Sequence, residues 1–122
     1  MRKVLIVDDE KKIRDIYKRF LSGENFEVLE AGDGKEASSL LAQHGDIALI
    51  LLDIRMPVMN GPALFNLIKL QKFPSKVIVT SVHPLDDQRR VLGGADGFFD
   101  KSEGLDTLLT RIKRVLPEGP AR

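Results

Sequence analysis

The sequence predicts an α/β fold, a parallel β-sheet with helices on both faces. Two observations carry that expectation. Short apolar runs recur along the chain, and amphipathic stretches with helical spacing separate them. Three of the runs are continuously apolar rather than alternating, as strands covered on both faces are. The length agrees. A chain of 122 residues makes one domain with a real core, and a (β/α)8 barrel would need roughly 250.

The elements follow in order. Val4-Leu5-Ile6-Val7 is the first strand. Ile13, Ile16, Tyr17, Phe20 and Leu21 then lie on one helix face. Val28-Leu29 with Ala31 makes a shorter second strand, followed by a helix through Ala37, Leu40 and Leu41. Asp33 precedes that helix with Glu36 three residues on, an Asp variant of the capping box. Ile47 to Leu52, the longest apolar run, is the third strand. Asn60-Gly61-Pro62 supplies a turn and a first-position proline for a helix through Leu64, Leu67, Ile68 and Gln71. Val77-Ile78-Val79 is the fourth strand, and the helical signal over Asp86 to Leu92 is weak and ends at Gly93-Gly94. Gly97-Phe98-Phe99 is a brief fifth strand. Leu105, Leu108, Leu109, Ile112, Val115 and Leu116 form the clearest helix, which Pro117 stops. Ser102 is expected to cap it, and Arg111, Lys113 and Arg114 read as its solvated cationic end. Five strand–helix repeats imply a parallel sheet with right-handed crossovers.

Composition excludes several kinds of chemistry. There is no cysteine, so disulfides, thiolate zinc sites and cysteine nucleophiles are out. Two histidines, His44 and His83, do not make a histidine metal site and read as surface residues. Lys and Arg total 19 against 18 Asp and Glu, with no concentration of charge of the kind that grips nucleic acid. No apolar run approaches a membrane span and no signal peptide is visible, so the expected location is the cytoplasm.

In open α/β sheets ligands bind beyond the carboxyl ends of the strands, where strand order reverses. Asp8, Asp9 and Glu10 follow the first strand, Asp53 the third, Thr80 and Ser81 end the fourth, and Lys101 follows the fifth. Carboxylates at neighbouring strand ends repel unless something neutralises them. Oxygen donors without cysteine favour Mg2+ or Mn2+. With a hydroxyl and an ammonium in the same crevice, the set describes phosphoryl transfer with a carboxylate nucleophile.

These residues resemble the receiver domain of two-component response regulators. The matching stretches are Val4 to Glu10, Leu51 to Gly61 with its Asp-x-x-Met-Pro-x-Met-x-Gly run, Val77 to Ser81, and Gly94 to Lys101. The resemblance implies a flavodoxin-like (βα)5 fold with strand order 2-1-3-4-5. It implies that Asp53 is the phosphoacceptor. Asp8 and Asp9 would form the acidic pocket, and Asp9, Asp53 and the Arg55 backbone carbonyl would ligate Mg2+ or Mn2+. Thr80 would be the switch hydroxyl, Lys101 the partner of a phosphoryl oxygen, and Phe98 the aromatic switch that packs inward on activation. It implies a sensor histidine kinase or histidine phosphotransfer protein as phosphodonor. An output domain or protein target would read the switch, homodimers could form on activation, and neither nucleic acid nor membrane would be contacted directly. Residues 1–117 would be the receiver domain and 118–122 a flexible tail or the start of a linker. Catalysis would be confined to Mg2+-dependent self-phosphorylation and autodephosphorylation.

Two departures from the family pattern stand out. Lys101-Ser102 replaces the usual Lys-Pro with its cis bond, so either a trans bond with a shifted loop or a strained cis bond is expected. The spacing from Thr80 to Lys101 is about one residue short. Val82 offers water no polar group, which predicts slow loss of the phosphoryl group, and the Arg55 side chain is expected at the pocket mouth. Competing readings are a Mg2+-dependent phosphatase, which needs a second acid where Arg55 stands, and a receiver-like binding module that works without phosphate.

Overall fold

The computed structural model describes residues 1–53, 63, 66, 68–69, 74–81 and 95–116. Each of the five apolar runs becomes a strand. In chain order the elements are β1 (Arg2–Val7), α1 (Lys11–Ser22), β2 (Phe26–Ala31), α2 (Gly34–Gln43), β3 (Ile47–Asp53), β4 (Lys76–Ser81), β5 (Gly97–Asp100) and the C-terminal helix α3 (Leu105–Val115). Between β3 and β4, Ala63, Asn66, Ile68 and Lys69 are helical, in the stretch where the sequence predicts a helix. The helix expected over 86–92 lies outside the described residues, as do Arg55, Val82, His83 and the tail 118–122.

The strands form one sheet, in the order β2-β1-β3-β4-β5. Every neighbouring pair is parallel. Continuous apolar runs are needed because successive side chains point to opposite faces and both faces are covered. Leu5, Val7, Ile50, Leu52, Val77 and Val79 pack on one side with Ala37 and Leu41 of α2 and with Ile68. Val4, Ile6, Leu49, Leu51, Ile78 and Phe99 pack on the other with Tyr17 and Leu21 of α1 and Leu108 and Ile112 of α3. Burying each large aliphatic chain contributes about 1.5–3 kcal/mol, so a polar residue inside any of the three long runs would expose its cost at once.

Local signals behave unevenly. The α2 start is as expected: Asp33 Oδ1 accepts from the Glu36 N–H at 2.8 Å. Glu36 in turn accepts from the Gly32 N–H at 2.7 Å, one residue before the cap. At α3 the expectation fails. The helix begins after Gly104, which makes no side-chain cap bond, because Ser102 is engaged elsewhere: both its N–H and its hydroxyl donate to Asp100 Oδ1. On α1, Tyr17 and Leu21 are buried but Ile16 is half exposed, at 49%. The buried stripe of α1 is therefore narrower than the apolar spacing suggests.

Register then sets the site. Order reverses at β1, whose neighbours are β2 and β3. Val7 is level with Leu52, Asp53 with Thr80, and Ser81 with Asp100. The first residues beyond β1 and β5 thus come out beside the last residue of β3.

Candidate functional site

Asp8 leaves β1 in a loop fastened from three sides. Its N–H donates to the Ala31 carbonyl at 3.1 Å. Its Oδ1 accepts from the Glu10 N–H at 2.9 Å. Its carbonyl accepts from Arg14 Nη1 at 2.6 Å. Arg14 is itself tied to Glu30 at the end of β2, 3.3 Å away. These bonds aim the Asp8 carboxylate along the sheet edge toward Asp53 and leave Asp9 exposed beside it. Carboxylate oxygens of Asp8, Asp9 and Asp53 all lie within 4.8 Å of one another.

Lys101 closes the group. Its Nζ is 2.7 Å from Asp8 Oδ2 and 3.4 Å from Asp53 Oδ2. Asp8 and Asp53 are 1% and 4% exposed, and the lysine side chain 9%. Burial pulls the Lys101 ammonium toward the neutral form. The Asp8 hydrogen bond and the charges of Asp53 and Asp8 outweigh it, so its pKa is raised and it stays charged. The Lys101 N–H donates to the Ser81 carbonyl at 2.8 Å. No described peptide bond is cis, so Lys101–Ser102 takes the trans alternative.

The other expected residues are placed as follows. Thr80 is buried, 2% exposed, beside Asp53 in register. Phe98 is half-buried and packs against the α2-side core. Arg55 lies outside the described residues. Two residues read plainly from the sequence do more than expected. Burial pushes the Tyr17 phenol up to about 12, with the charges of Lys101, Asp8 and Asp53 also acting on it, so it stays neutral. Arg111, expected to be solvated, donates to the Phe98 carbonyl at 2.9 Å and makes two bonds to Glu103. Its spacing on the helix gives no hint of this, because the partners come from β5 and the loop after it.

Three carboxylates against one ammonium leave negative charge at a partly buried site. Asp8 Oδ2 is buried and faces the Lys101 ammonium at 2.7 Å. Three carboxylates, all oxygen donors, with ligand atoms within 4.8 Å of one another fit a hard divalent cation. No described helix is long and apolar enough to cross a membrane.

Acids at the switch point of a doubly wound parallel sheet, a hydroxyl on β4 and a lysine after β5 place the candidate site where open α/β domains bind their ligands. The chain belongs to the response regulator receiver domain family, whose sequence pattern it matches over residues 4–113. It is 35% identical over 116 residues to the transcriptional regulatory protein SrrA of Staphylococcus aureus, covering 93% of this chain and 47% of SrrA. The chain therefore spans about half the length of the curated relatives it matches. Among solved structures, it is similar to response regulator TrrA from Thermotoga maritima in complex with Mg2+ and BeF (30% identity, TM-score 0.86, 95% of this chain and 100% of TrrA). It is also similar to chemotaxis response regulator CheY4 of Vibrio cholerae (31% identity, TM-score 0.87, 95% and 99% covered). The family is that of two-component signalling, in which receivers work with histidine kinases and output domains.

Proposed function

We propose that this receiver is switched by phosphorylation on Asp53, in a Mg2+-dependent reaction with a sensor histidine kinase or histidine phosphotransfer protein as donor. The observation that carries this reading is the convergence of Asp8, Asp9, Asp53 and Lys101 at the switch point of the sheet, with distances of 2.7 and 3.4 Å from the ammonium to two carboxylates. The Mg2+–BeF complex of the similar protein TrrA supports it.

An Asp53 carboxylate oxygen attacks phosphorus, the P–N bond of the phosphohistidine breaks, and its electron pair leaves on the imidazole nitrogen. The product is an aspartyl-phosphate. Lys101, already beside Asp53, takes a phosphoryl oxygen as its new partner, which is positioning and charge neutralisation rather than proton transfer. Asp8, Asp9, Asp53 and the Arg55 carbonyl would hold Mg2+, or Mn2+ in its place, and the bound cation would offset the charge gathered on the phosphoryl oxygens. Thr80 lies level with Asp53 and is the hydroxyl that turns to the phosphoryl group, with Phe98 following inward. The result is a population shift toward a state that a partner or output domain reads. In this reading residues 1–117 form the receiver and 118–122 a tail or linker, the site is cytoplasmic, and any turnover is the domain's own autophosphorylation and autodephosphorylation.

The test uses acetyl phosphate or phosphoramidate with Mg2+, read by intact mass. Wild type gains one phosphoryl group, and Asp53→Asn does not. A wild type unmodified by either donor overturns the proposal and favours the phosphate-independent binding module.

A further inference from the structure

Where the family pattern described above places a proline after the lysine, Ser102 stands in a trans linkage. Something else must hold Lys101 in place. The loop is a four-residue turn closed by the Glu103 N–H donating to the Asp100 carbonyl at 2.9 Å. Lys101 and Ser102 are its central residues, so Ser102 occupies the i+2 position that a cis-proline takes in a type VI turn. A serine does not restrict the backbone as proline does, and side chains brace the turn in addition to its backbone bond. On one side Asp100 Oδ1 accepts from the Ser102 N–H at 2.8 Å and from its hydroxyl at 2.7 Å. On the other, Glu103 Oε1 accepts from the Asp100 N–H at 3.1 Å. Glu103 is then gripped by Arg111 through two bonds, Nη1 to Oε1 at 2.7 Å and Nη2 to Oε2 at 3.0 Å. Arg111 is anchored in turn on the Phe98 carbonyl of β5 and lies 6.0 Å over the Phe99 ring. A forked guanidinium meeting a carboxylate at two points fixes direction as well as distance. The chain of contacts runs from helix α3 through Glu103 and the turn to the backbone that carries Lys101.

We propose that the Glu103–Arg111 pair is a positioning clamp that holds Lys101 against Asp8 and Asp53, in the place of the missing proline. The proposal rests on the phosphoacceptor reading of Asp53 for its kinetic consequence, but its structural content does not. Loss of the clamp lets the lysine wander from the pocket, and misplacement of a catalytic group by about 1 Å can cost up to a hundredfold in rate.

The experiment is a double-mutant cycle with acetyl phosphate in saturating Mg2+, over wild type, Glu103→Ala, Lys101→Ala and the double variant. Glu103→Ala is expected to slow phosphorylation about tenfold without weakening Mg2+ binding, since the acids are untouched. In the Lys101→Ala background the same substitution is expected to have no further effect. Arg111→Lys, which keeps the charge but not the fork, reproduces the slowing if Glu103→Ala fails to fold. Equal slowing by Glu103→Ala with and without Lys101 overturns the clamp, as does an unchanged rate. A second readout separates the two proposals: the Lys101 Cε–Hε NMR cross-peak without Mg2+. In wild type it stands apart from the solvent-exposed lysines, and in Glu103→Ala it joins them. If wild type accepts no phosphoryl group but the cross-peak behaves this way, the clamp stands and the phosphorylation reading falls. A cross-peak indifferent to Glu103→Ala sinks the clamp alone.

Discussion

Removing the Lys101 ammonium from its acidic surroundings is the most discriminating perturbation of the metal-free protein. Lys101→Met keeps an unbranched chain of similar length and deletes the charge. The ammonium is buried, 2.7 Å from Asp8 and 3.4 Å from Asp53, and breaking a buried pair by removing one partner typically costs about 3–5 kcal/mol. A ceiling comes from chemistry. The orphaned site can relieve itself by protonating one carboxylate, and at pH 7 this costs about 4 kcal/mol for an aspartate of ordinary pKa near 3.9. At pH 5 the same escape costs only about 1.5 kcal/mol. The expected loss is therefore about 3–4 kcal/mol at pH 7 in EDTA, falling to under about 2 at pH 5. The sign follows because an unpaired buried carboxylate favours its neutral form, so the variant gains on wild type as pH falls. With about 2.1 cal/mol/K of unfolding entropy per residue, 122 residues translate 4 kcal/mol into about 15 °C of melting temperature. Urea melts at the two pH values, with and without Mg2+, are the assay, and Mg2+ should restore more stability to the variant than it adds to wild type. A loss below about 1 kcal/mol at pH 7, or one that does not change with pH, would refute the reasoning.

Other expectations follow from single contacts. Asp33→Ala removes the α2 cap bond to Glu36 and is expected to cost about 1 kcal/mol in urea melts. Gly97→Ala places a methyl 3.3 Å from Ile78 Cγ1 and 3.5 Å from Val115 Cγ1; packing between β4 and α3 leaves little room, and about 1–2 kcal/mol should be lost. The Arg111 hydrogen bond holds Glu103 below the usual carboxylate range, and the Ser102 N–H does the same for Asp100. Groups with lowered folded pKa stabilise fully above their unfolded value of about 4 and lose that contribution as pH falls through the folded one. Stability should therefore decline between about pH 5 and 3, less steeply in Glu103→Gln, as followed by melting temperature. Asp53→Asn should shrink the melting-temperature rise that Mg2+ gives wild type, and an equal rise in both would remove Asp53 from the metal site.

Five strands, their parallel arrangement and the residues at their ends were legible because period and composition record burial, while the strand order came from the family resemblance. A run such as Ile47 to Leu52 can only be stable with both faces covered, and an acid that ends it marks the strand's mouth. Asp8, Asp53 and Lys101 were readable for the same reason: each sits at or just beyond the end of a strand, and parallel register brings those ends together. Reading by local pattern failed where the partner came from elsewhere. Ser102 has the right chemistry to cap α3, yet Asp100 takes both its donors. Arg111 has the right position for a solvated helix end, yet Phe98 and Glu103 hold it. Ile16 continues an apolar spacing, yet stays half exposed.

The sequence by itself determined the fold class, the edge of the sheet where chemistry gathers and the residue types found there, because these follow from periodicity and from what strand ends must do. Tertiary structure alone decided how the lysine is held. Those bonds join α3 to β5 and α1 to the pocket, and hydrogen-bond partners many residues apart leave no periodic trace for a local reading to find.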